Sequence, residues 1–205
     1  PAGLELAKRL GSGRETLGIL EVGGASSQIA YEVPKASDSE ARVWNIQGKH
    51  YRIFSRSFLG LGQNEARKSM VALPDSGQWM NPCYPSGVSV TDRKAGADNL
   101  RGGFDFDRCQ ALYRQVIKTN GDFEKARKID LNDVVFAGIG QGNPVGSMKG
   151  SIVLWGLPGP YPDSTMPLVK AFCKEDWKSF SARFGWDLVN QNQCANTIFI
   201  LTLLY

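Results

Sequence analysis

The residues whose types and spacing could best carry out chemistry lie in one short stretch, Leu17–Glu32. An apolar run that includes Glu21 is followed by Gly23-Gly24 and then by alternating polar and apolar residues. This pattern predicts a strand, a tight turn and a second strand. Ser26 and Gln28 fall on one face of the second strand, because successive side chains of a strand point to opposite sides. We therefore expect the two side chains to converge on one point beside the turn.

These residue types suit chemistry on a phosphate. The two glycines let backbone N–H groups approach an anion closely. Glu21 stands where a divalent cation or its waters could be held, and Ser26 and Gln28 could orient a water molecule by hydrogen bonds. A Gly-Gly pair between two hydrophobic runs is also typical of a plain hairpin turn, so the stretch by itself leaves both interpretations open.

Four blocks of the chain resemble a known family. Leu20–Ala30 is similar to the fourth apyrase motif, Asp-Leu-Gly-Gly-Ala-Ser-Thr-Gln, of the ecto-apyrases, or nucleoside triphosphate diphosphohydrolases. Arg56–Asn64, Asn81–Pro85 and Val169–Leu204 follow in the family's order, the last block with Cys173, Trp177 and Cys194.

The resemblance implies roles for the residues of the first hairpin. The serine and glutamine that match Ser26 and Gln28 hold the attacking water in the family, together with a glutamate base. The acid at the Glu21 position helps to order the waters around a Ca²⁺ or Mg²⁺ ion. Glu21 departs from the usual aspartate, and the extra methylene moves the carboxylate by about one bond length. Backbone donors beside the phosphates are implied for these residues: Gly23, Gly24, Ala25 and Ser27.

The nucleobase site implied by the resemblance is less well matched. The family holds the base on this lobe between aromatic side chains, one of them near the second cysteine of the late pair. Gln193 stands at that position, so we expect it at the base-binding surface without an aromatic ring. Trp155 or Tyr161 could supply a stacking surface, although both also fit ordinary, partly buried aromatics. Ser86 occupies the place of an arginine that contacts the base in some relatives, so base preference stays open.

Composition bounds the class of protein. A chain of 205 residues with 42% hydrophobic residues suits one domain, and a net charge of +4 favours anionic ligands slightly. The chain has no run of Lys and Arg of the kind that predicts nucleic-acid binding. The longest apolar run, Ile198–Leu204, is too short to span a bilayer, so we predict no membrane segment in this chain. His50 is the only histidine, which disfavours a histidine-ligated metal site.

The four cysteines lack the close paired spacing of a zinc site. Their number alone fits two disulfides or four buried thiols equally well. The resemblance implies a disulfide between Cys173 and Cys194, which leaves Cys83 with Cys109. Disulfides imply an oxidising compartment, so we expect a secreted protein or one in the lumen of the secretory pathway.

The order of predicted elements favours an α/β fold. We predict three strands forming a meander, a helix, a long irregular surface loop, a helix, a buried strand and two further helices. Their approximate bounds are 17–22, 26–33 and 44–58 for the strands, the last of them broken by Gln47-Gly48. The helix is predicted over 61–73 and the loop over 74–103, and the later elements over 106–119, 134–139, 166–184 and from 192 onward. A short helix is also predicted over 4–10. This order is typical of an RNase H-like lobe of the actin, Hsp70 and sugar-kinase type, with a mixed sheet and flanking helices.

The resemblance implies that residues 1–205 form one lobe of a two-lobed enzyme. The family's phosphate-binding motif, its catalytic glutamate and its last tryptophan-containing motif have no counterpart here, and neither Glu5 nor Glu15 matches that base. We expect the chain to need the missing first lobe to hydrolyse nucleoside tri- and diphosphates. Two alternatives stay open: a non-catalytic nucleotide-binding or interaction lobe, and an exopolyphosphatase-like phosphohydrolase. The run Gly138–Gly142 is a loose match to a phosphate loop and also fits a plain turn.

Overall fold

A five-stranded mixed sheet forms the centre of the computed structural model, which describes residues 16, 18–33, 40–77, 80–92, 96–126, 136–140, 165–184 and 191–204. The strands are β1 (Gly18–Val22), β2 (Ser26–Glu32), β3 (Arg42–Ile46), β4 (Lys49–Leu59), β5 (Ser89–Asp92), β6 (Ala97–Arg101) and β7 (Phe136–Gly140). The helices are α1 (Gln63–Val71), α2 (Phe106–Lys118), α3 (Gly121–Ala126), α4 (Thr165–Lys174), α5 (Trp177–Phe184) and α6 (Gln193–Leu204). The predicted helix over 4–10, Trp155 and Tyr161 lie outside the described residues.

The strand order of the main sheet is β3-β4-β2-β1-β7. Neighbouring strands run antiparallel except for β1 and β7, which are parallel. A parallel pair cannot be joined by a hairpin, and the chain between β1 and β7 includes helices α1, α2 and α3. The predicted α/β class with a mixed sheet and flanking helices is confirmed.

The predicted break at Gln47-Gly48 is a tight turn that divides the third predicted strand into β3 and β4, so the three-strand meander is wrong in its number of strands. Gln47 and Gly48 both have positive φ, 52° and 78°, as the tight turn between two antiparallel strands requires. The second arm of this hairpin, β4, pairs with β2, and β3 lies at the edge of the sheet.

One face of the sheet carries the core. Along β2 the residues Ser27 and Tyr31 are buried, and their partners on β4, Phe58 and Phe54, are buried with them. Phe58 packs into the main hydrophobic cluster with the helices. The opposite face, which holds Ser26 and Gln28, is only partly covered within the described residues. The two faces therefore separate packing from chemistry, as the alternation in the sequence predicts.

The predicted irregular loop over 74–103 is wrong. The segment contains a 3₁₀ turn at Pro74–Ser76 and the antiparallel pair β5–β6, and its Asn81–Pro85 block is buried. Asn81 supplies the hydrogen bonds that allow this burial: its N–H donates to the Arg101 carbonyl at 2.7 Å, and its Oδ1 accepts from the Cys83 N–H at 2.9 Å. A composition typical of loops therefore forms ordered structure, because hydrogen bonds of Asn81 and its neighbours satisfy the buried backbone; the Pro82 carbonyl, for example, accepts from the Asp105 N–H at 3.0 Å.

The predicted helix over 166–184 is two helices, α4 and α5, with a break at Asp176. The Asp176 carboxylate accepts from the Ser179 N–H at 3.1 Å and from the Ser179 hydroxyl at 2.8 Å, so it caps a new helix. The apolar stripe is nevertheless as predicted, since the following residues are buried: Val169, Cys173, Trp177 and Phe180.

The other predicted helices are observed close to their predicted bounds. Ala66 and Met70 of α1 are fully buried, and the helix ends before Pro74. Among the described helices, the most apolar is α6, which has 12 residues, and none of them combines the length and hydropathy needed to cross a bilayer.

Candidate active site at the first hairpin

The β1–β2 hairpin brings its polar residues into one row across three strands. Glu21 of β1 lies directly opposite Gln28 of β2, and Gln28 lies opposite Ser57 of β4. Residues paired in this way point to the same face of a sheet. The row lies on the face away from the main core, next to the Gly23-Gly24 turn.

Gln28 is hydrogen-bonded to both neighbouring hydroxyls. Its Nε2 donates to the Ser26 Oγ in a short contact and to the Ser57 Oγ at 3.2 Å. The predicted convergence of Ser26 and Gln28 is therefore present in the structure. Ser57 is a further member of this row that sequence reasoning missed. The alternation of β4 places Ser57 on that face, but only the strand register reveals its pairing with Gln28.

The Glu21 carboxylate lies over the turn. A Cβ atom added to Gly23 would stand 3.4 Å from the Glu21 Oε1, and the Glu21 side chain is half-buried. One negative charge is thus held beside the glycines, on the same face as Ser26 and Gln28. Carboxylate and hydroxyl oxygens of this kind suit Mg²⁺ or Ca²⁺. Within the described ranges, no cluster of three or more Asp, Glu, His or Cys side chains could hold a metal directly.

The N-terminus of α1 fixes the direction of the turn's peptide groups. The N–H groups of Gln63 and Asn64 donate to the carbonyls of Gly23 and Gly24 at 2.8 and 2.9 Å. These peptide bonds are trans, so each N–H points opposite to the carbonyl of the same peptide group. The N–H groups of Gly24 and Ala25 therefore point away from α1. Two adjacent donors of this kind form a concavity that can bind an anion. The prediction of Gly23 as a third backbone donor is wrong, because its N–H donates to the Ser26 carbonyl at 2.9 Å.

Gly62 makes this contact possible. A Cβ atom at Gly62 would overlap the backbone of Gly24, Ala25 and Ser26, so only glycine fits between the turn and α1. The Arg56–Asn64 block, although distant in sequence from the first hairpin, therefore packs directly against its turn.

Two predicted site residues have buried side chains. The Ser27 hydroxyl, 1% exposed, donates to the Leu61 carbonyl, so Ser27 could contact a phosphate only through its backbone. Gln193 is 2% exposed at the start of α6, and its Nε2 donates to the Thr197 Oγ1 at 3.4 Å. The prediction that Gln193 lies at a base-binding surface is wrong, because its side chain packs in the core and presents no surface to a base. Trp155, the other predicted contact, lies outside the described residues.

Both predicted disulfides are present. Cys83 is bonded to Cys109 and Cys173 to Cys194, and all four residues belong to the main hydrophobic cluster. The first disulfide ties the Asn81–Pro85 block to α2, and the second ties α4 to α6.

Comparison with known proteins decides the family. The model of the GDA1/CD39 (nucleoside phosphatase) family matches residues 7–205. The chain belongs to the GDA1/CD39 family. It is 28% identical to ectonucleoside triphosphate diphosphohydrolase 7 of Pongo abelii over 182 residues, which are 67% of this chain and 30% of that protein. It is 36% identical to ectonucleoside triphosphate diphosphohydrolase 2 of Homo sapiens over 79 residues, which are 37% of this chain and 16% of that protein.

A solved structure supports the fold of this GDA1/CD39 chain. The crystal structure of nucleoside triphosphate hydrolases from Neospora caninum matches with a TM-score of 0.53 and 18% identity, and the match covers 92% of this chain and 50% of that chain. The chain therefore spans half or less of the length of each relative named here. The likeness in structure concerns the fold alone.

Proposed function

We propose that this chain is one lobe of a nucleoside tri- and diphosphate hydrolase of the apyrase type, in which Ser26 and Gln28 position the attacking water. The observation that carries this proposal is the contact between Gln28 and Ser26, with Glu21 opposite Gln28. This group lies beside a turn whose Gly24 and Ala25 N–H groups point away from α1. The relatives named above are nucleotide phosphohydrolases by name, which agrees with such a site.

The geometry suggests a division of labour within the hairpin. Gly24 and Ala25 donate hydrogen bonds to phosphoryl oxygens, while Ser26 and Gln28 hold a water in line with the bond that breaks. Positioning and charge stabilisation are the main demands of phosphoryl transfer, and both can come from fixed hydrogen-bond donors. The base that removes the proton from water is assigned to the first lobe, because the resemblance matches no residue of this chain to it.

Glu21 is the residue of this chain that we assign to the divalent cation. A single half-buried carboxylate fits a contact through water, with the substrate's phosphates and the other lobe supplying further oxygens. Bound Ca²⁺ or Mg²⁺ would supply positive charge to the phosphoryl oxygens. Glu21 itself would orient the waters and hold them beside Gly23.

The strand order supports the finer fold assignment. A central strand, β1, lies between an antiparallel hairpin partner, β2, and a later parallel strand, β7. This arrangement is expected of an RNase H-like lobe of the actin type, with residues 1–205 as one lobe. The proposed partner is the first lobe of the same protein. Two disulfides favour an oxidising compartment, either extracellular or within the secretory pathway.

Hydrolysis by the full-length protein that carries this chain tests the proposal. With Ca²⁺ or Mg²⁺, we expect phosphate release from nucleoside tri- and diphosphates, and Ser26→Ala or Gln28→Ala should lower kcat by about 100-fold or more. Ser55→Ala is the matched control, because Ser55 is an exposed serine on the same face of β4 and lies opposite Ala30. Unchanged kcat in the Ser26 and Gln28 variants would remove the role assigned to them.

A non-catalytic binding lobe is the second candidate, favoured by Glu21 in place of aspartate and by the buried Gln193. It predicts nucleotide binding with no phosphate release from the full-length protein. A titration with a non-hydrolysable nucleotide and with tripolyphosphate separates both candidates from a polyphosphate hydrolase. Binding that requires the base favours an apyrase or a nucleotide-binding lobe, and equal binding of tripolyphosphate favours the polyphosphate alternative.

A further inference from the structure

Asn64 lies directly against the Gly-Gly turn. Its backbone N–H donates to the Gly24 carbonyl at 2.9 Å, and a Cβ atom added to Gly24 would stand 2.9 Å from the Asn64 Nδ2. Asn64 also lines, with Gly24, Ala25 and Glu65, an open depression of about 320 Å³. The space that a side chain at position 24 would need is thus occupied by the Asn64 amide.

Arg67 determines which atom of that amide faces the turn. The buried Arg67 side chain donates from Nη2 to the Asn64 Oδ1 at 3.3 Å and from Nη1 to the Asn196 Oδ1 at 2.8 Å. A guanidinium group can only donate hydrogen bonds, so the oxygen of Asn64 must face Arg67. The NH₂ group of Asn64 is consequently held on the side of Gly24.

Arg67 is in turn held by the core. Its partner Asn196 belongs to α6, two residues after Cys194, which is bonded to Cys173 of α4. A guanidinium that is 4% exposed and bonded to a disulfide-tied helix has little freedom to change direction. The orientation of Asn64 is therefore set by the packing of α1 on α6.

We propose that Asn64 is a further anion-binding residue of the hairpin site, and that it donates an Nδ2 hydrogen to a phosphoryl oxygen in the depression that it lines with Gly24 and Ala25, while the N–H groups of Gly24 and Ala25 face other oxygens of the same phosphate chain. Arg67 is its positioning residue. The ligand class is the phosphate chain of a nucleoside tri- or diphosphate, so the inference rests on the proposed function. Glu65 lines the same depression, and Lys68 Nζ lies 3.8 Å from its carboxylate and reduces its negative field.

The test is a titration of the ¹⁵N-labelled chain with tripolyphosphate and with a non-hydrolysable nucleotide. The side-chain NH₂ signals of Asn64 should shift with the same Kd as the amide of Gly24. Asn64→Ala should weaken binding of either ligand by about 10-fold. Asn64→Asp should weaken binding further, because it removes the donor and adds a negative charge while it keeps an acceptor for Arg67. Arg67→Lys should give an intermediate loss, because the fork that orients the amide is removed.

Asn45→Asp is the matched control for charge, since Asn45 is an exposed asparagine on the edge strand β3. This variant should bind both ligands as the wild type does. Retained binding by Asn64→Asp would reduce Asn64 to a structural partner of Arg67 and overturn the inference. Binding by both Asn64 variants at the wild-type Kd would also overturn it and leave the proposed function standing. Failure of the wild-type chain to bind either ligand would contradict both proposals.

Discussion

At the scale of single residues, glycine decides whether the site can form. Gly62 allows the backbone of the turn to approach α1 where any side chain would overlap it, and Gly24 leaves room for the Asn64 amide above the turn. A Gly-Leu-Gly sequence after a strand predicts only a turn or a helix start. The steric need for glycine at these two positions comes from their neighbours in space, which lie about forty residues away in the chain.

Gly62→Ala should lower the free energy of unfolding by about 3 kcal/mol, because the added methyl group overlaps backbone atoms that cannot move independently. It should also weaken tripolyphosphate binding, since the turn must shift. Urea denaturation checks the first result and a titration checks the second. Gly121→Ala is the control, because a Cβ atom there meets nothing within 4 Å. Equal stability of the two variants would show that the turn is not packed against α1 as described.

At the scale of elements, the apolar pattern of the sequence predicted most helix and strand bounds. The break within a predicted helix and the pairing of strands depend instead on hydrogen bonds that only the structure shows. The 166–184 segment keeps its apolar stripe through the break, because α4 and α5 both turn that stripe to the core. Asp176 makes the break by capping α5, and the Trp177 N–H at the new helix start donates to the Ser86 carbonyl at 2.9 Å. The Ser86 carbonyl lies in the segment that composition predicted to be an irregular loop.

That segment should depend on its disulfide. The Cys83–Cys109 bond closes a separation of 26 residues, and replacing both cysteines by alanine should lower the free energy of unfolding by roughly 3 kcal/mol. Faster proteolysis at 86–103 should accompany the loss, because the pair β5–β6 has no other covalent tie. Thermal unfolding and limited trypsin digestion measure the two effects. The Cys173→Ala/Cys194→Ala variant is the control: it should loosen α4 and α6 and leave the 86–103 cleavage rate near that of the wild type.

At the scale of the whole molecule, the core contains buried polar side chains, and the phenol of Tyr113 is one of them. The Tyr113 side chain of α2 is fully buried and stacks at a tilt on Phe199 of α6, with ring centroids 5.3 Å apart. Burial raises the pKa of Tyr113 well above its ordinary value, the neighbouring Tyr84 adds to the rise, and Arg67 opposes it. The neutral phenol is therefore the form that folding favours.

This pKa predicts a loss of stability in alkali. The unfolded chain releases the Tyr113 proton near pH 10 while the folded chain keeps it, so the free energy of unfolding falls as pH rises above about 10. The fall should reach about 1.4 kcal/mol per pH unit for this group. Tyr113→Phe should reduce the slope by that amount and cost little at pH 7. Urea titrations between pH 7 and 11 measure the difference, and identical slopes would contradict the assignment.

The sequence by itself determined the family, the strand–turn–strand hairpin, the shared face of Ser26 and Gln28, and the apolar stripes of the helices. These features repeat with a short period or lie within a few residues, so they are encoded locally. The two disulfides were predicted only through the resemblance to relatives.

Only the tertiary structure decided the pairing of Gln28 with Ser57, the buried positions of Ser27 and Gln193, the ordered Asn81–Pro85 block, and the approach of Gly62 and Asn64 to the turn. Each of these depends on contacts between segments far apart in the chain. Residue type and spacing carry no information on such contacts until packing has brought the segments together.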